Sequence, residues 1–304
     1  MMILPFIIPL LRPTTPALAR PRATLSATTE AEAKYLALPT NIDDARLPVG
    51  WFFSPDDGGP RDVCLIFHGA GGVDRETSDL ERRVRDIDAA AGVARLVAVY
   101  DWSRWLGGQD RAAFDGQAIG RKLGAALRRQ EERELLLRGG EGIRTLHVIG
   151  TSVGAFAADA FASAYVAAAA TTESKARAKV RLTLCDPFTA RPGESLGDGW
   201  GLQNFGRDAD YAEHLLNTDD IVPSTNVPVL GCYVRDVTRS ALRRSFSAPN
   251  TGKLLNDLGA RFLLGHNWPM GFLARTLEVD VDERGHIITP SHDEYPRGVV
   301  ERVP

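Results

Sequence analysis

The residues with the most chemical content are Gly150-Thr151-Ser152-Val153-Gly154, within "HVIGTSVGAF". A serine hydroxyl is a poor nucleophile at neutral pH. It needs a base beside it, usually a histidine held in one tautomer by a carboxylate. Glycines on both sides permit a sharp turn that lifts the hydroxyl above a strand and starts a helix directly behind it. The same spacing also describes a tight corner with a serine cap. The pattern therefore counts only in context: a buried strand leading in, a closely packed helix leading out, and partners following in order.

Six histidines compete for the base. His68 closes an apolar run and is read as ordering the glycine-rich turn after it, His147 lies inside a strand, and His214 is placed on a helix in "DYAEHLLN". His286 and His292 fall in a tail that reads as a hairpin around Glu283-Arg284-Gly285. His266 comes late, in a glycine-preceded loop whose following "NWPMGFLART" opens a helix. It is the candidate base, a capping or surface histidine being the other reading. Since only neutral imidazole accepts a serine proton, activity is expected to rise with pH near the histidine reference of about 6.5.

Two carboxylates could orient that histidine. Asp186 ends "VRLTLCD" and is followed by Pro187, which biases it towards extended backbone and ends the strand at the sheet's carboxyl edge. Asp236 ends "VPVLGCYVRD", taken as the strand after next from the serine. Asp186 is preferred, because Asp236 is also explained as a turn residue or a partner for Arg239. The backbone N–H of Val153 would point at a developing oxyanion.

These residues need a scaffold, and the chain supplies strands alternating with helices. Strands are expected at 49–54 and 63–68 as a hairpin, then at 95–100, 143–150, 180–186 and 227–236. "SDLERRVRDIDAAAG" offers a capping box at Ser78 and Glu81 with Gly92 as a stop, a second helix covers about 110–130, and the alanine-rich run from Val153 forms a third. The pattern predicts an α/β fold with a mainly parallel, doubly wound sheet covered by helices on both faces.

On these residues the chain resembles the pancreatic-type lipases of the α/β-hydrolase superfamily. "LHVIGTSVGAF" is similar to that family's nucleophile strand and elbow, "LIFHGAGG" to its oxyanion strand and loop, "VAVYDW" to its Val-Asp-Trp strand end, and "LCDPF" to its Leu-Asp-Pro. "NTDDIVPST" and "GHNWPMGFL" stand where the family has a Thr-Asp stretch and a histidine opening a helix. Thr151 occupies the family's histidine position, and the paired cysteines and second lipid-binding domain of the animal enzymes have no counterpart. The resemblance implies an α/β-hydrolase domain with Ser152, Asp186 and His266 as a triad, and it adds Ala70 to Val153 as an oxyanion donor.

Composition bounds the partners. A net charge of -3 gives no basic footprint for nucleic acid. A small-molecule ester or lipid substrate is expected, with no nucleic acid partner. No stretch approaches the ~18 unbroken apolar residues of a membrane span. "GAGG" lacks the spacing of a nucleotide cradle, "DVDERG" lacks the ligands of a calcium loop, and "TDD" at 218–220 reads as a solvated turn. Neither a cofactor nor a metal is expected. Cys64, Cys185 and Cys232 read as buried thiols, with a Cys185 to Cys232 bridge left open. Residues 1–29 carry no acidic side chain and read as a leader (secretory signal, transit peptide or disordered segment) before one domain over 30–304, with a possible lid at 191–216. Two functions follow: a carboxylic ester hydrolase working through an acyl-enzyme, or a non-catalytic binding module keeping the elbow for packing. Thioester and amide substrates are not separated from esters by sequence.

Overall fold

The computed structural model of the protein describes residues 44–47, 61–108, 111–138, 142–171, 177–194, 199–246 and 257–304. Its strands are β1 (Arg61–Phe67), β2 (Arg95–Tyr100), β3 (Ile143–Thr151), β4 (Lys179–Cys185), β5 (Tyr211–Leu216), β6 (Tyr233–Asp236) and β7 (Val300–Arg302). All pair in parallel, in the order β2-β1-β3-β4-β5-β6-β7. The helices are α1 (Arg75–Ala91), α2 (Ala112–Arg138), α3 (Gly154–Ala170), the short α4 (Trp200–Asn204) and α5 (Asp257–Thr276). None of those described is long and apolar enough to cross a membrane.

Side chains alternate across the strands and feed two cores. Val63, Leu65 and Phe67 of β1, with Leu146 and Val148 of β3, pack against α2 and α3. Cys64, Ile66 and Ile149 face the other way, onto Leu80 and Val84 of α1 and Trp268 and Phe272 of α5. Burial on both faces is why the central strands read as continuous apolar runs. The three cysteines are free and buried, and Cys185 and Cys232 lie in opposite cores, so they form no bridge.

Several expectations are revised. Tyr211–Leu216, read as a helix and as the end of a lid at 191–216, is a fully buried central strand. Its polar residues hide the two-residue period. Glu213 lies on one face, where it accepts from Thr183 Oγ1 at 2.8 Å, and His214 lies on the other, where its Nδ1 accepts the Val229 N–H at 3.2 Å. The strand expected over 227–236 shrinks to Tyr233–Asp236. The N-cap of α1 is Asp74, which accepts the Thr77 N–H, rather than Ser78, while Gly92 ends the helix in the left-handed conformation as anticipated. The leader and the 49–54 strand lie outside the described residues.

The topology makes one crevice. β1 sits between β2 and β3. The chain leaves β1 through α1 on one face and leaves β3 through α3 on the other, so the connections diverge at the carboxyl ends of β1 and β3. The loop after β1 and the elbow after β3 flank that gap.

Behind the elbow, α2 and α3 meet at backbone distance. A Cβ on Gly120 would lie 2.2 Å from the Ala157 carbonyl oxygen, and one on Gly124 the same distance from that of Phe161. Gly124→Ala gains about 1 kcal/mol of helix propensity and overpacks a rigid interface at a cost of ~1–3 kcal/mol or more. A net loss of about 1–2 kcal/mol in chemical denaturation is expected. An unchanged or raised midpoint would contradict the contact.

Candidate active site

β3 ends at Thr151 and α3 begins at Gly154, so Ser152 and Val153 make the whole turn. Ser152 adopts φ 52°, a left-handed conformation that costs a residue with a Cβ roughly 1–2 kcal/mol. Its neighbours hold it there. The Ser152 N–H donates to the Cys185 carbonyl, and the Ser152 carbonyl accepts from Phe188 and Ala155, each at 3.1 Å. The flanking glycines answer to space: a Cβ on Gly154 would lie 2.4 Å from the His68 carbonyl oxygen, and one on Gly150 2.7 Å from Ala158 Cβ.

The loop after β1 is clamped from β2. The Trp102 N–H donates to His68 Nε2 at 3.1 Å, which places the ring proton on Nδ1, where it faces the Gly69 carbonyl at 2.7 Å. Trp102 Nε1–H returns a bond to the His68 carbonyl at 2.9 Å. His68 is fully buried and orders the turn, as its position suggested. Among the described residues, neither the Ala70 nor the Val153 N–H donates to a backbone acceptor. Both residues line one cavity with Ser152 and His266.

His266 lies within α5 rather than in a loop before it. The helix carries a proline three residues later, at Pro269, and continues through it to Thr276. Pro269 has no N–H, so the Gly265 carbonyl four residues back has no helical donor. Asn217 Nδ2 donates to it instead, at 2.8 Å. Asn217 is fully buried just past β5, and its own N–H donates to Asp186 Oδ1 at 3.3 Å. Through its side-chain amide and its backbone N–H, Asn217 thus ties the histidine's turn to the ends of β4 and β5.

Two carboxylates meet His266 Nδ1: Asp186 Oδ2 at 3.2 Å and Asp220 Oδ2 at 2.8 Å. Asp186 follows β4 at φ 47°, its N–H donating to the Leu215 carbonyl. Asp220 was read as part of a solvated turn and is buried. It is the functional candidate that sequence reasoning missed. The strand after next from the serine is β5 and not β6, which removes the ground for Asp236. That aspartate instead caps its own turn, accepting the Thr238 N–H at 3.1 Å.

Burial raises the Asp186 carboxyl well above the usual carboxylate range. The bond from His266 opposes this, and the adjoining Asp220 reinforces it. Burial also disfavours the Asp220 anion, but hydrogen bonds from His266, Asp186 and Thr225 hold its pKa well below that range. For His266 burial disfavours the cation, yet the two carboxyl groups outweigh it and lift the ring to about 9. That lies above the histidine reference of about 6.5. The three side chains are also a group of potential metal ligands within 4.8 Å of one another. Their closest pair, at 2.8 Å, is nearer than the about 3.3 Å that two ligands of a tetrahedral zinc keep, and matches a shared proton.

The cavity has a volume of about 450 Å³, suited to a small organic molecule. The 69–72 turn, the elbow and His266 form its polar side, while Ala112, Phe188 and Val222 supply apolar wall and Asp74 borders it.

If the elbow stores strain, Ser152→Gly should raise stability by about 0.5–1 kcal/mol, the relief of φ 52° exceeding the added chain entropy of glycine. A lowered thermal midpoint would show that the turn is unstrained.

Comparison with known proteins gives no match to a protein-family model, a curated protein or a solved structure, so what these residues do has to be argued from their own geometry.

Proposed function

We propose that this chain is a serine hydrolase of the α/β-hydrolase type, cleaving a carboxylic ester through an acyl-enzyme. One observation carries the reading. Ser152, held in a left-handed elbow, opens on the same cavity as Ala70, Val153 and a histidine whose Nδ1 is engaged by buried carboxyl groups. With Nδ1 engaged, Nε2 is the basic nitrogen. It takes the Ser152 proton as Oγ attacks the ester carbonyl carbon, and the carbonyl π pair moves to oxygen. The oxyanion accepts hydrogen bonds from the Ala70 and Val153 N–H groups at the positive end of α3. Collapse expels the alcohol, which takes the proton from Nε2 and leaves an ester on Ser152. A water molecule repeats the sequence and returns the free acid and the serine.

The apolar wall of Ala112, Phe188 and Val222 fits a short or medium acyl chain. Asp74, whose Oδ1 is engaged by Thr77, borders the cavity and disfavours a negatively charged substrate. The motif blocks shared with pancreatic-type lipases support the same chemistry. They leave the acyl length to be read from turnover of p-nitrophenyl esters of increasing chain length.

Ser152→Ala should lower ester turnover by three orders of magnitude or more and leave stability within about 1 kcal/mol. Equal turnover by the pure variant would remove the assignment and favour a binding module. The pH profile should also be displaced. A base whose protonated form is stabilised must lose that proton before it can act, so the rate should rise through an apparent pKa above 6.5, towards the value of about 9. A rate already at its plateau at pH 6.5 would contradict the engaged carboxyl pair.

A further inference from the structure

We propose that Asp186 and Asp220 act on His266 as a pair holding one proton: Asp220 is the carboxylate that orients the imidazole, and Asp186 is a carboxylic acid that donates to Asp220. This rests on reading His266 as the base for Ser152, and it assigns the positioning role differently from the single aspartate of a simple triad.

The count of donors makes the assignment. His266 has one Nδ1–H, and it lies nearer Asp220, at 2.8 Å against 3.2 Å for Asp186. Asp220 also accepts from Thr225 Oγ1–H at 2.6 Å and from the Val222 N–H at 3.2 Å. Its anion is thus solvated by three protein donors. Asp186, the more deeply buried of the two, has one amide donor among the described residues, Asn217 N–H, at 3.3 Å. Two anions on one imidazole would lock it as a cation with Nε2 protonated, unable to accept from serine. A proton on Asp186 leaves one negative charge, satisfies both carboxyl groups through a mutual hydrogen bond, and frees Nε2 for catalysis. The proton returns to the same place after each turnover, so nothing is consumed.

Some of the charged groups near the histidine, among the described residues, have partners of their own. Asp219 pairs with Arg243 at 3.3 Å, and Arg243 also reaches Asn217 Oδ1. From α1, Asp74 caps its helix and Glu76 accepts from Asn267.

The test uses the full chain and two isosteric variants. In Asp186→Asn the amide can still donate to Asp220, and asparagine tolerates the left-handed backbone at this position. The value of kcat/KM for a p-nitrophenyl ester should fall by no more than about tenfold, and the His266 pKa, followed by NMR of nitrogen-15-labelled histidine, should stay near its wild-type value, because one neutral donor replaces another; a large fall would mean that Asp186 carries a charge. In Asp220→Asn the amide can trap the wrong tautomer, so kcat/KM should drop at least a hundredfold and the downfield Nδ1–H resonance should be lost. The reverse ranking, equal large losses, or equal retention would each overturn the pair. Loss of esterase activity in the wild type would refute the hydrolase reading alone, because NMR still reports the pair. In the wild type a His266 Nδ1–H that is absent, or a ring that titrates at its free value, would refute the pair even if a variant fails to fold.

Discussion

The contact on which the rest depends is between the His68 carbonyl and the α carbon of Gly154. Only a residue without a side chain at 154 lets the end of β1 approach the first turn of α3 so closely. That approach brings the 69–72 turn over Ser152, and the Trp102 clamp on His68 fixes it from the far side. Small residues extend the same logic behind the elbow, where Gly120 and Gly124 let α2 press on the backbone of α3. The serine is therefore held by backbone against backbone, which side-chain repacking cannot relax. A left-handed Ser152 persists because its surroundings leave it no alternative.

On the opposite wall the constraint is a missing hydrogen bond. Pro269 removes the donor that would satisfy Gly265 within α5, and Asn217 supplies one from the end of β5. Since Asn217 also donates to Asp186, the unpaired carbonyl of the helix becomes a joint between the turn that carries His266 and Asp186. A proline that looks like a defect in the helical pattern serves as the anchor of the catalytic histidine in the function proposed here.

Much of this was legible in the sequence, for identifiable reasons. Apolar runs such as "VCLIF" and "LHVIG" announce strands buried on both faces, and glycines around Ser152 announce a turn whose geometry has few solutions. Ser152, Val153, Ala70, Asp186 and His266 do converge on one edge of the sheet. β5 was not legible, because "YAEHLL" places an acid and a histidine on a strand and offers helix formers in their place. That omission had a consequence: with one strand missing from the count, Asp236 stood as the alternative acid, while the aspartate that meets His266 besides Asp186 is Asp220. Nor did the sequence show that α5 begins before His266, since "LGARFLLG" ends in a glycine that reads as a helix stop. The pairing of Asp186 with Asp220 depends on three chain segments meeting in space, and no local pattern records it.

The central claim is that Ser152 is an activated nucleophile, and covalent capture tests it most directly. Incubation of the protein with a fluorophosphonate, followed by peptide mass spectrometry, should give one phosphonylated residue, Ser152, and none after heat denaturation. An unmodified Ser152 in folded protein, or an equal rate of modification in native and denatured chains, would contradict the account.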